Sequence, residues 1–313
     1  MGWFELFYDL VVVAAVGYGS HLFIEDPSVP LGTWLAATLV VMFVLWFMTT
    51  LHANVLKDDG PWRRIAVLVQ MLALAVADLS ISPDDGLPTS IGFRALGIAF
   101  LSIAVMYAVS GRRGHRDIAR VVWVSSAIGG LVLIVGASLP DADVLARDVA
   151  VLAVGVLVPI IAVFGWLLPR LMANGSLDED HLGERMGQLL IIVIGECFVG
   201  LLTVLGGRSS IPNPAVFVLA FLVAYAIWAT YFKVVPPRGF PRSAWVMWLW
   251  LAAYLLLLYG SVAVASRSSV LVVRTWSEVT VTQLAWTGLA LAYVVVAMAL
   301  MWWLPSLGAR RRV

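Results

Sequence analysis

Uninterrupted apolar stretches of roughly 17 to 25 residues recur along the chain, each long enough to cross a hydrocarbon core about 30 Å thick. They leave little else. Only 12% of the 313 residues are charged, where a soluble domain carries about 25%. Ten spans are read by hydropathy: Phe4–Phe23, Leu31–Leu51, Ile65–Ile81, Gly92–Val109, Ile118–Leu139, Val149–Leu168, Met186–Leu205, Ala215–Val235, Ala244–Ser266 and Val281–Leu304. Lipid offers no partner to backbone amides, and runs this long without alternation select helices over a barrel. The expected fold is all-α: a polytopic transmembrane helix bundle forming one integral membrane domain, with no soluble domain. The longest connection is expected near Pro169 to Arg185.

Basic residues set the orientation. With ten spans, one side collects Lys57, Arg63, Arg64, Arg112, Arg113, Arg116, Arg120, Arg170, Arg185, Lys233, Arg238, Arg242 and Arg310 to Arg312. The other side holds Arg94, Arg147, Arg208, Arg267 and Arg274, together with Glu25, Asp26, Asp84, Asp85, Asp141, Asp143, Asp148 and Glu278. Both termini are therefore expected in the cytoplasm. The basic loop "SGRRGHRDIAR" reads as a topology determinant that touches anionic headgroups rather than as a nucleic-acid site. The "NGS" at Asn174 falls on the cytoplasmic side, where no glycan is expected.

An ionisable group at a span centre costs about 2.5 to 3.5 kcal/mol on insertion scales, so those present are the informative residues. Glu5 and Asp9 are four apart and share a helical face, one at the cytoplasmic end of the first span and one a turn deeper. In "HLGERMGQLLIIVIGE", His181, Glu184 and Gln188 recur at three and four residues and share another face. Arg185 is the expected counter-ion for the shallow acids. Glu196 lies about 18 Å deeper than Glu184, near the bilayer midplane, with no basic residue expected at its depth. Asp78 and Arg94 are placed to pair near the outer surface, and His21 and His52 read as hydrogen-bonded packing.

The only cysteine, Cys197, lies within a span, so no disulfide and no cysteine metal cluster is possible. "HLGER" is not a HExxH zinc motif, and phosphate-binding and nucleophile-elbow motifs are missing; no metal and no cofactor is expected. Tryptophans near span ends, among them Trp3, Trp62, Trp276 and Trp302, read as interface anchors. Gly187, Gly195 and Gly200 on the seventh span are expected to admit a close neighbour, and Pro159 to kink the sixth.

Three stretches, "ELFYDLV" in the first span, "VLVQMLALAVA" in the third and "HLGERMGQLLIIVIGE" in the seventh, together resemble the bacterial low temperature requirement protein A family. The matching residues are Glu5, Phe7 and Asp9, then His181, Glu184, Arg185, Gly187, Gly195 and Glu196. Met186, Cys197 and Lys233 depart from the family pattern. The resemblance implies a multi-pass protein of the bacterial inner membrane and carries no biochemical activity with it.

Transport ranks first among the functional readings: a transporter or channel in which protonatable Asp9 and Glu196 line a polar route, working on a small ion or lipid-like substrate. The second is an intramembrane enzyme acting on a lipid or isoprenoid, with Glu5, Asp9 or Glu196 as general acid or base. The third is a membrane scaffold in which every charge is paired. Membrane lipids are the expected partners, and nucleic acid is not.

Overall fold

The computed structural model describes residues 3–25, 29–57, 60–81, 89–111, 116–139, 144–206, 211–234, 240–241 and 243–309, with side chains at all of these except 18–34, 144–148, 234, 244 and 307–309. The side chains of His21, Asp84, Asp85, Asp141, Asp143, Arg112, Arg113, Arg147, Arg208, Arg238, Arg242 and Arg310 to Arg312 lie outside the described residues.

Among the described residues the chain is helical, with no strand. The helices are α1 (Trp3–Glu25), α2 (Val29–Leu51), α3 (Pro61–Leu79), α4 (Ser90–Ser110), α5 (Arg116–Gly136), α6 (Val144–Ile160), α7 (Leu168–Ala173), α8 (Glu179–Leu205), α9 (Pro214–Val234), α10 (Ala244–Val272) and α11 (Val281–Ala309). Eight helical segments among the described residues are long and apolar enough to cross a membrane. They lie within α2, α4, α5, α6 with α7, α8, α9, α10 and α11. The two further helices at predicted spans are α1, whose side chains are described only as far as Gly17, and α3, which carries Arg63, Arg64 and Asp78 in 19 residues.

α3 turns hydrocarbon outward and polar groups inward. Its outward face is Ile65, Leu68, Leu72, Val76 and Leu79, with Leu72 69% exposed, while its buried face carries Gln70 and Asp78. Water would penalise that arrangement and hydrocarbon favours it. Trp3, Trp62, Trp276 and Trp302 are exposed at helix ends, as anchoring requires.

Two compact units divide the chain. The first comprises Met1–Ala15 and Val40–Leu182, the second Val16–Leu39 and Gly183–Val313. In the first, α3, α4, α5 and α6 pack in sequence, each against the next. Glycine makes the closest of these contacts. A Cβ on Gly97 would meet the Gly130 carbonyl oxygen, and one on Gly130 the Gly97 carbonyl oxygen, both at 2.7 Å, so α4 and α5 touch backbone to backbone. A Cβ on Gly129 would overlap the Gly155 carbonyl oxygen of α6. Pro159, four residues on, has no amide hydrogen to give that carbonyl, so the oxygen is free to face α5.

Pro159 does more than kink its helix. The chain runs into a π-helical segment, Ile161–Leu167, before resuming as α7 behind Pro169. The stretch expected to be the longest connection is consequently mostly helix. α7 ends in a left-handed Gly175 (φ 62°), with Ser176 N donating to Leu171 O at 3.0 Å, and α8 starts at Glu179. A second π-helical segment, His52–Leu56, ends α2 at left-handed Lys57 (φ 48°).

In the second unit α9, α10 and α11 pack against one another. Asn213 caps α9, its Oδ1 accepting from Val216 N at 3.4 Å ahead of Pro214, and its own N–H binds Val272 O at 3.2 Å. α11 opens on a reciprocal box in which Thr280 Oγ1 accepts from Gln283 N at 3.3 Å and Gln283 Oε1 from Thr280 N at 3.1 Å. Gly187 admits the Phe232 ring, whereas Gly195 and Gly200 face open space, so only one of the three expected glycine contacts exists among the described residues. Periodicity places glycines on a face but does not say what lies opposite.

Candidate functional site

The first unit contains a cluster of buried polar side chains drawn from α1, α2, α3 and the start of α8. Its outer layer is centred on Glu5. Arg63 Nη2 donates to Glu5 Oε1 at 2.8 Å, with side chains only 5% and 12% exposed. His181 Nε2 lies 3.7 Å from Glu5 Oε2 on the other side. One carboxylate therefore faces a permanent cation and a titratable one.

His181 is held there by a clasp that ties α8 to α2. Asp178 caps α8, its Oδ1 accepting from His181 N at 3.1 Å. Asn54, in the π-helical end of α2, then grips the backbone of Asp178 twice: Nδ2 donates to Asp178 O at 2.8 Å and Oδ1 accepts from Asp178 N at 2.9 Å. Its Nδ2 is also 3.4 Å from His181 Nδ1.

One turn along α1 the inner layer begins. Trp46 Nε1 donates to Asp9 Oδ1 at 2.7 Å, and Asp9 is 0% exposed. Tyr8 OH donates to Gln70 Oε1 at 2.9 Å, and Thr49 Oγ1 lies 2.9 Å from the same oxygen and 3.0 Å from Leu45 O. A hydroxyl has one proton, so Thr49 serves one of those acceptors at a time. Close by in sequence, His52 Nε2 is 2.9 Å from Ser110 Oγ, with its ring edge-on to Tyr107 at 5.0 Å; it is packing, as expected.

The three motifs therefore meet: Tyr8 touches Gln70, and Glu5 faces His181. Arg63, Trp46, Thr49 and Asn54 complete the cluster, and sequence reading missed all four in this role. Hydropathy begins the third span at Ile65 and so leaves Arg63 in a loop; the helix begins at Pro61 and buries it. The one available signal was the polar Gln70 within an otherwise apolar motif.

The remaining sequence candidates lie in the second unit. Arg185 is 2% exposed and its Nη1 donates to Gln188 Oε1 at 3.3 Å, while Tyr254 OH donates to Met186 O at 2.7 Å. Glu184 is exposed. The buried stripe of α8 is Leu182, Arg185, Met186, Leu189, Leu190 and Val193, so the face shared by His181, Glu184 and Gln188 is not the one packed inward. Glu196 is half-buried, its carboxyl pressed where a Cβ on Gly17 would stand. Cys197 is a free thiol 3.6 Å from Ser261 O. The expected Asp78–Arg94 pair does not form: Arg94 reaches across to Ser138 Oγ at 3.4 Å. No group of three or more metal-ligating side chains occurs among the described residues.

Apolar helices of spanning length with outward-facing hydrocarbon define the class: this is a helical integral membrane protein, with Asp9, Arg63, Asp78 and Arg185 buried inside it. The family model described as bacterial low temperature requirement A protein matches residues 1–313, and the chain belongs to that family. Comparison with curated proteins and with solved structures gives no match.

Proposed function

We propose that this protein is a transporter or channel of the bacterial inner membrane whose coupling groups are protonatable carboxylates. The observation that carries the reading is Glu5 held between Arg63 at 2.8 Å and His181 at 3.7 Å, with Asp9 fully buried one turn further along α1. A carboxylate with a guanidinium on one side and an imidazole on the other sits in a polar pocket of the kind that lines intramembrane ion paths. Such a group suits the binding and release of a proton or small cation. Glu196, half-buried in the second unit, is a further acid within a span.

The same reading takes all ten long helices as spans, with both termini cytoplasmic. The bias of Lys and Arg to one set of loops supports it.

The test is flux in reconstituted liposomes carrying an internal pH or cation indicator. Glu5→Gln and His181→Gln are expected to lower flux by about a hundredfold while elution as a folded particle is unchanged. Equal flux from wild type and both variants would sink the transport reading. A scaffold is the second reading, favoured by the Asn54 clasp, which fixes two helices without any need for charge movement. Under it the same variants change only the melting temperature.

A further inference from the structure

A cavity of about 430 Å³ opens in the first unit at the end shared by α4 and α5, lined by Tyr107, Ala108, Gly111, Arg116, Asp117, Ala119, Arg120 and Trp123. The volume falls in the range of small-molecule sites. Its charged lining is uncommitted: none of Arg116, Asp117 and Arg120 forms an ion pair or hydrogen bond with another described residue. Arg116, Arg120 and Trp123 stand at i, i+4 and i+7, on one exposed face of α5. Both α4 and α5 are long and apolar enough to span, so the two guanidinium groups lie where the hydrocarbon ends. Trp123 sits about 10 Å further in than Arg116 and about 4.5 Å further in than Arg120, at 1.5 Å per residue. That is headgroup depth for the cations and interface depth for the indole.

We propose that this cavity binds the phosphate of an anionic phospholipid, with Arg116 and Arg120 on the phosphate oxygens and Trp123 against the glycerol and upper acyl chain. Two arginines and one aspartate give the lining a net charge of +1. That balance suits a singly charged phosphodiester, whereas a free phosphate dianion meets the Asp117 carboxylate. The base of the cavity is rigid. A Cβ on Gly111 would strike Ala119, and Tyr107 is buried with its hydroxyl donating to Met48 O at 2.8 Å. Besides the orienting charge expected of them, Arg116 and Arg120 act as ligands.

Delipidated full-length protein, titrated with phosphatidylglycerol or phosphatidylcholine and weighed by native mass spectrometry, tests this. Wild type is expected to retain one phosphatidylglycerol in preference to phosphatidylcholine. Arg116→Gln with Arg120→Gln is expected to weaken retention about thirtyfold, and Arg116→Lys with Arg120→Lys to keep much of it. A parallel arm adds inorganic phosphate. If phosphate displaces phosphatidylglycerol, the anion site stands but its ligand is free phosphate. Equal retention of the two lipids by wild type, or equal retention of phosphatidylglycerol by wild type and the glutamine variant, overturns the proposal.

Discussion

Arg63 is the residue on which the polar cluster turns, because it is a fixed charge with almost no access to solvent. Removing it alone leaves Glu5 beside a histidine and apolar side chains. An uncompensated buried charge costs about 3 to 5 kcal/mol, whereas replacing both partners by apolar groups costs far less. Arg63→Met is therefore expected to lower the melting temperature in detergent more than Arg63→Met combined with Glu5→Leu. Additive losses in that cycle would show that the two side chains, 2.8 Å apart, are energetically independent. The acids themselves were legible in the sequence, since charge in an apolar run announces itself. Their partners were not. Arg63 sits one turn inside a helix whose start hydropathy places two residues past it, and Trp46 and Thr49 look like ordinary members of an apolar span until the fold brings Asp9 and Gln70 to them.

Among elements, the α5–α6 contact shows how a helix break becomes a packing device. Pro159 withholds a donor from the Gly155 carbonyl, and Gly129 is the residue small enough to receive that oxygen. Gly129→Ala is expected to push the helices apart and destabilise by about 1 to 3 kcal/mol. Gly195→Ala, facing open space on α8, is expected to be neutral or to stabilise by a few tenths of a kcal/mol. Unfolding of the two variants in parallel decides the matter; equal melting temperatures would remove the contact from any account of stability. Helical existence and approximate span bounds were readable from run length because lipid imposes one solution on the backbone. The inward face was not readable. In a membrane both sides of a helix are apolar, so the periodicity that orients a soluble helix is nearly silent, and Gly195, expected to admit a close neighbour, faces open space.

For the whole molecule, the parity of spans fixes which loops see the cytoplasm. A Cys197→Ser background with one cysteine introduced at Thr275 is expected to react with an impermeant maleimide added outside intact cells. The same background with a cysteine at Asn174 is expected to react only after the membrane is opened. The reverse pattern would invert the orientation argued from the arginines, and labelling of both from outside would break the even count. Orientation is the one property of the entire chain that the sequence expresses directly, because insertion reads charge before any tertiary contact exists.

The Asn54 clasp carries a consequence for how the protein is made. Glu5 and Asn54 leave the ribosome well before His181 and Asp178, their partners at the start of α8. Arrival of the third motif closes only the outer layer, because the inner one is built from α1, α2 and α3 alone.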